Sequence, residues 1–482
     1  NMCGVFGVLN TKDKIDESRI ISARESIAHR GPDDKGVFIS KDGLAALSHR
    51  RLSIIDLTTA AHQPMTTIDG RYTIVFNGEI YNFRELIPRL TFNISRLTSS
   101  SDTEVLLDLY ADYGSDCIPM LRGMFAFAIW DDKEKTLFAA RDRFGIKPFY
   151  FLSNENEFIF SSELKAIKYY KDNLTPSMEG IDSFLRTGSI SAPLTIYNEV
   201  SLLPPGHILK IDCHPGRSRS ISINNYWNFN DLFEKSSVLS SQSTKNSSLK
   251  KKYDDDAKKK IRAALLDSVS AHMVSDVEVG AFLSGGIDST AIVSLMRQVG
   301  QEKIKTINIS FPGSKVDEAK FARQASDFYN TSNYEYNLTE HEVIAELDNI
   351  FFSMDQPTID GINTYFVSKA ARDLGLDVVL SGVGGDELFG GYPSFNLIPK
   401  YKRIKNLPFA KSFMNAAAPL LKNRLPIKAI EYFKNPNEAN AEYKLVRGLF
   451  SNAELKSLGW NFQSQTSSLQ STVFSPQTMN DP

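Results

Sequence analysis

The chain has 482 residues, 42% of them hydrophobic, which is enough for two large or three average domains with sizeable cores. Its 55 Lys and Arg nearly balance 57 Asp and Glu, so composition offers no basic surface for nucleic acid or an anionic membrane. Three cysteines, Cys3, Cys117 and Cys213, without metal-ligand spacing, fit a reducing cytoplasmic compartment, and no apolar run has the length of a signal peptide or membrane span.

Taken in order, residues 2–230 read as one α+β domain. Short apolar or alternating runs at 3–9, 72–76, 124–129, 137–140 and 149–152 predict strands, and three- and four-residue apolar spacing at 15–27 and 102–113 predicts helices. Residues 231–254 shift to Ser, Lys, Gln and Asn without apolar periodicity, as a solvated linker does. A helix from Asp255, with Ile261, Leu265, Val269 and Met273 on one face, opens a second domain over 255–460. There, strands expected at 277–283, 305–311, 334–338 and 378–380 alternate with helices at 291–299, 318–329, 341–354 and 364–374. That alternation predicts an α/β parallel sheet with helices on both faces. The polar tail, 461–482, is expected to be disordered.

The strongest chemistry lies at 283–290, L-S-G-G-I-D-S-T, between an apolar strand and a helix. Gly285 and Gly286 let the backbone approach an anion, the helix start offers free N–H groups, and Ser284 and Ser289 add hydroxyl donors. No lysine follows, and Asp288 stands where one would be expected. An aspartate beside a phosphate cradle implies a metal between them, which suits an enzyme that cuts ATP between its α and β phosphates and releases magnesium pyrophosphate. Residues 378–392, V-V-L-S-G-V-G-G-D-E-L-F-G-G-Y, repeat the design. Two strand ends in a parallel sheet can bring Asp288 and Asp386 to one metal.

At the other end, M-C-G-V-F-G offers a nucleophile. If Met2 is removed, Cys3 carries both a thiol and a free α-amine able to take the thiol proton; the plainer reading is a structural cysteine at a strand start. Arg51 can clamp a carboxylate or make a surface ion pair. In F-N-G-E-I-Y-N, Asn77 and the Gly78 N–H can form an oxyanion hole and Glu79 can hold an ammonium, though Asn-Gly alone equally suggests a hairpin turn. Asp102 can share the ammonium or serve as a helix N-cap.

The motifs M-C-G-V-F-G, H-R-G-P-D, R-L-S-I-I-D, N-G-E-I-Y-N, G-M-F-A-F-A-I-W-D, R-D-R-F-G-I-K-P-F-Y, L-S-G-G-I-D-S and S-G-V-G-G-D-E-L-F-G-G-Y, in that order, resemble the glutamine-dependent asparagine synthetases of class B type. The resemblance implies an N-terminal-nucleophile (Ntn) hydrolase glutaminase that feeds ammonia through an internal tunnel to an ATP pyrophosphatase-type synthetase. It makes Cys3 the nucleophile, with Arg51 on the glutamine carboxylate, Glu79 and Asp102 on the amine, Asn77 and Gly78 on the oxyanion, and the backbone at Ile54 and Ile55 lining the pocket. In the second domain it places Leu283, Ile309, Ser381 and Gly382 around ATP, Ser284, Gly285, Gly286, Asp288 and Ser289 on the pyrophosphate, and Asp288 with Asp386 on Mg2+. It implies aspartate as acceptor, β-aspartyl-AMP as intermediate, and AMP and pyrophosphate as products, and it allows a homodimer.

Three departures accompany the resemblance. Asn1 precedes Met2 and, if retained, blocks the α-amine. Val383 replaces the glutamate that many dedicated asparagine makers carry, and D-G-I-N-T at 360–364 replaces another consensus, so the acceptor stays open between aspartate and another carboxylate such as an envelope sugar acid or a peptide. The family's R-x-P-F-L-D segment is not found, so the second domain is expected to be C-terminally incomplete, with a truncated inactive relative as the alternative. Phosphoribosyl and fructose-phosphate amidotransferases share the front domain but have no use for L-S-G-G-I-D-S.

Overall fold

Strand alternation organises the first unit of the computed structural model, which describes residues 2–10, 14–91, 97–214, 219–232, 247–313, 317–405, 427–434 and 441–462. Twelve strands are described there: β1 (Gly4–Asn10), β2 (Asp34–Ile39), β3 (Ala45–Arg51), β4 (Met65–Thr66), β5 (Tyr72–Ile80), β6 (Gly123–Asp131), β7 (Thr136–Arg141), β8 (Tyr150–Ser153), β9 (Glu157–Ser161), β10 (Val200–Leu202), β11 (His207–Asp212) and β12 (Ser220–Asn225). They form two antiparallel sheets, ordered β10-β8-β9-β1-β3-β2 and β12-β11-β7-β6-β5-β4. Along β1, Val5 and Leu9 enter the layer between the sheets while Phe6 and Val8 face the helices outside. Along β6, Ala126, Ala128 and Trp130 face inward, and Phe125, Phe127 and Ile129 pack outward against the Asp102–Tyr113 helix. Period-two patterning on both sheets thus builds four layers, helix, sheet, sheet, helix, as expected for an Ntn hydrolase.

The second unit holds β13 (Val279–Phe282), β14 (Lys305–Ser310), β15 (Ser332–Asn337) and β16 (Val378–Leu380), all parallel, in the order β15-β14-β13-β16. Val279, Ala281 and Leu283 pack on one face with Val293 and Met296 of the Ile287–Gln298 helix, and Ile307 packs on the other with Ala370 of the Gly361–Asp373 helix. No described helix is long and apolar enough to cross a membrane.

Two elements differ from expectation. The helix that opens the second unit spans Ser247–His272, starting before Asp255, because its leading residues have helix propensity without an apolar face to signal it. The helix expected over 341–354 is two, Glu340–Ala345 and Leu347–Ser353. At their junction the Glu346 carboxylate accepts from Tyr365 (2.8 Å) and Lys369 (2.7 Å), which ties the break to the neighbouring helix. Most of the linker and nearly all of the polar tail lie outside the described residues.

Several bonds join the units. The Asp355 carboxylate accepts the N–H groups of Leu164 (2.7 Å) and Lys165 (3.1 Å), covering the start of the Leu164–Tyr170 helix. Gln356 reaches Ile196 N (3.0 Å) and the Tyr150 hydroxyl (3.1 Å), and Arg122 pairs with Asp267.

Packing between the sheets leaves no slack at Gly7, where an added Cβ would overlap the Phe160 ring, itself stacked on Phe149 at 5.2 Å. Gly7→Ala should lower stability by about 1–3 kcal/mol. The check is the urea midpoint followed by tryptophan fluorescence, and an unshifted midpoint would refute it.

Candidate active site

One edge of β5 carries the first site. Its other edge pairs with β6 in the register Asn77↔Ala126 and Gly78↔Phe125, so Asn77 and Gly78 lie inside a strand and form no hairpin turn. The Phe76 N–H donates to Gln63 Oε1 (2.7 Å) and the Ile80 N–H to Asp102 Oδ2 (2.8 Å), both away from β6. Alternate residues of a strand present their N–H groups to the same edge, so the Gly78 N–H points the same way, between those two partners. A side chain at Gly78 would overlap Met124 O; only glycine lets β6 lie this close.

That edge borders a cavity of about 200 Å³. Cys3, Arg51, Ile54, Ile55, Asn77, Gly78, Glu79 and Asp102, every residue assigned to the glutamine pocket by resemblance, line it together. The Asn77 amide is 1% exposed, and its Oδ1 and Nδ2 have no hydrogen-bond partner. Buried amides are rarely left so, and the cavity is where a ligand can satisfy this one. Arg51 is buried, and its guanidinium is wrapped by carbonyls of the following loop: Nη1 donates to Thr58 O (2.9 Å), and Nη2 to Ile55 O (3.3 Å) and Asp56 O. These bonds fix the plane of the fork and leave N–H groups for a carboxylate.

Cys3 is half-buried at the start of β1, within reach of Leu52, whose N–H lies 3.4 Å from Sγ. Crowding by protein raises the thiol pKa, opposed by the Leu52 N–H and the cations Lys147, Arg51 and Arg30. Burial also raises Glu79, with Lys147 opposing. Asp102 is pushed up to about 7, mainly by burial and further by the like charge of Glu79, against the Ile80 N–H. It is not an N-cap: Ser101 caps the helix by accepting from Thr103 N (3.1 Å), which frees the Asp102 carboxylate for β5.

Three features of the cavity escaped the sequence reading. Gln63 braces β5 against Thr103, to which its Nε2 donates (3.2 Å). Lys147 is buried, its pKa lowered by desolvation and restored in part by Glu79 and Cys3, and its Nζ lies 3.1 Å from Met2 Sδ. Its place in R-D-R-F-G-I-K was the available signal. The far wall is Asp377, Val378 and Val379, supplied by the second unit.

The second site forms where β13, β14 and β16 end. Leu283 follows β13, Ile309 is the last residue but one of β14, and Ser381 and Gly382 follow β16, so these predicted ATP residues share one edge of the sheet. Ser284 Oγ accepts the Gly286 N–H (3.2 Å) and meets Ser289 Oγ at 3.1 Å, while Gly285 takes φ +81 with no room for a side chain against Phe321. No side chain caps the Ile287–Gln298 helix at Gly286, so its first N–H groups face the turn. The repeated loop lies directly on this one: a Cβ on Gly382 would sit 2.9 Å from Ser289 N, and one on Gly385 would overlap the Asp288 carboxylate. No cluster of three or more metal-type side chains occurs among the described residues. The Asp386 carbonyl accepts the Gly391 N–H (3.0 Å), but the Asp288 and Asp386 carboxylates have no hydrogen-bond or ion-pair partner among the described residues, which fits carboxylates that share a cation with phosphate oxygens.

A glutamine amidotransferase domain family matches residues 2–227, and an asparagine synthase family matches 260–476. A Methanocaldococcus jannaschii protein provisionally named glutamine-hydrolysing asparagine synthetase 2 is 36% identical over 475 residues, covering 92% of this chain and 87% of that one. Glutamine-hydrolysing asparagine synthetase 1 of Bacillus subtilis is 34% identical over 427 residues, covering 86% and 63%. An amidase of Gibberella zeae is 30% identical over 407 residues, covering 80% and 57%. The chain therefore spans less than two thirds of the last two relatives.

The raised Asp102 pKa sets a pH dependence. Below about 7 the carboxyl is protonated and loses its charge for a ligand ammonium; above it, the charge is present. The KM for glutamine should therefore rise as pH falls through about 7, approaching about tenfold per unit on the acid side. Asp102→Asn should flatten that limb in initial-rate measurements, and an acid limb that survives the substitution would assign it elsewhere.

Proposed function

Because the chain belongs to the glutamine-hydrolysing asparagine synthetase family, we propose that it is an ATP-dependent amidotransferase that takes nitrogen from glutamine and delivers it to a carboxylate, with aspartate as the leading acceptor. One observation carries the reading: the cavity that gathers the eight predicted glutamine residues is walled by residues 377–379, and the strand they begin ends at the Ser381–Gly382 turn of the second site. That short stretch is where a tunnel of the kind the resemblance implies would pass from one site to the other.

Arg51 receives the glutamine carboxylate, and Glu79 and Asp102 receive its ammonium, so the side-chain amide lies toward Cys3. With Met2 in place, the Cys3 nitrogen is an amide and cannot act as a base. Once Cys3 is terminal, its amine takes the thiol proton and the thiolate attacks the amide carbon. The Asn77 Nδ2 and Gly78 N–H stabilise the oxyanion, ammonia departs, and water releases glutamate from the thioester. Lys147 adds a fixed positive charge beside the thiolate.

At the second site the Ser284 turn and the helix start hold the pyrophosphate of ATP. Asp288 and Asp386 would hold Mg2+, which neutralises the leaving pyrophosphate when bound. The acceptor carboxylate displaces pyrophosphate to give an acyl-adenylate, and ammonia displaces AMP to leave the amide. For aspartate the intermediate is β-aspartyl-AMP. A different acceptor is the second reading, favoured by Val383, 90% exposed where the resemblance leads one to expect glutamate.

Cys3→Ala should abolish glutamine-dependent amide formation while amide formation from ammonium salt persists. Loss of both reactions in a folded protein would refute the two-site reading. Asp288→Asn and Asp386→Asn should do the reverse, lowering acceptor-dependent pyrophosphate release at least about a hundredfold with glutamine hydrolysis retained. Unchanged pyrophosphate release in both variants would remove these aspartates from the site. Product mass spectrometry with aspartate and other carboxylates identifies the acceptor.

A further inference from the structure

The loop that shapes the first cavity is held from outside its own unit. Asp56, buried, adopts φ +54, a left-handed conformation that aspartate tolerates better than most side chains but that still needs support. Its carbonyl accepts from Arg51, its Oδ1 accepts from Thr58 N (3.0 Å) and Oγ1 (2.6 Å), and its Oδ2 accepts from Ser100 N (2.8 Å), two residues before Asp102. One residue thus braces both the loop that orients the guanidinium and the turn that leads to the Asp102 carboxylate.

The support comes from Asp276. Its N–H donates to Ile54 O (2.9 Å) and its Oδ2 accepts the Asp56 N–H (2.8 Å), closing a two-bond clasp around Ile55. Asp276 belongs to the second unit and lies on the segment that runs directly into β13 and the Ser284 turn. Its neighbour Val274 packs against the core beneath the Asp102–Tyr113 helix, so the clasp is anchored on both sides.

We infer that Asp276 is a positioning residue through which the second unit sets the shape of the glutamine pocket. The inference rests on the reading of that pocket proposed above. Without the clasp, Asp56 loses the acceptor for its N–H and the loop is free to leave its left-handed turn. The carbonyls that fix Arg51 then move, while Cys3, just before β1, and Asn77 and Gly78, on β5, stay in place.

The test compares the full chain with Asp276→Ala and Asp276→Asn, the latter keeping an oxygen that can accept from Asp56. Glutamate release and ammonia-dependent pyrophosphate release are measured in each. Asp276→Ala should raise the KM for glutamine about tenfold, with kcat at saturation and the ammonia-dependent rate within about twofold of the parent, and Asp276→Asn should recover most of the KM. An unchanged KM in an alanine variant of an active parent overturns the inference alone. So does a fall in ammonia-dependent rate with no change in KM, which would make Asp276 a support for the second site only. A parent processed to a terminal Cys3 that hydrolyses no glutamine overturns the pocket assignment and this inference with it.

Discussion

Everything in the first site follows from the two-residue period of β5. One edge of the strand is consumed by β6, so the N–H groups of Phe76, Gly78 and Ile80 must emerge on the other. A buried N–H needs a partner, and two of these have one, in Gln63 and Asp102. The middle donor faces the cavity beside the unpartnered Asn77 amide. Shift the strand by one residue and the donor row would face β6, the Asn77 side chain would change sides, and neither sheet would keep its apolar layer.

The charges around the cavity come as a set of both signs. Arg51 and Lys147 line it together with Glu79, Asp102 and Asp377, so the protein brings two cations and three carboxyl groups to surroundings that resist bare charge. Such groups are expensive to bury singly and less so as a set whose members offset one another. Part of that cost is carried by the raised pKa values of the Glu79 and Asp102 carboxyls.

How much of this could be read from the chain depended on range. Five of the twelve strands described in the first unit, the parallel sheet of the second, and residues that line one cavity were legible, because strand period and short motifs are local signals. Local reading failed where a distant partner decides. Asn77 and Gly78 carry a turn signature, yet β6 lies alongside and holds them extended. Asp102 carries a cap signature, yet Ser101 caps and β5 takes the carboxylate. Gln63 and Asp276 have no local signature at all, since each acts on a segment far away in sequence: Gln63 on β5 and Thr103, Asp276 on the loop at Ile54. The break at Glu346 likewise comes from Tyr365 and Lys369 on another helix.

The crowding between the two phosphate-type loops restricts how this protein can diverge. Gly382 and Gly385 press on the Asp288 turn with no space for a Cβ, and Gly384, at φ +99, takes a conformation that side chains rarely adopt. Val383 lies among them with 90% of its surface open. Along this turn, three of four neighbouring positions are closed to substitution by sterics or backbone geometry, and one is free. Descendants of such a chain can change the exposed chemistry of this turn through a single codon without disturbing the contacts that bring Asp288 to the neighbouring loop. One surface position is then able to drift across a lineage while the packing of the two loops stays constant.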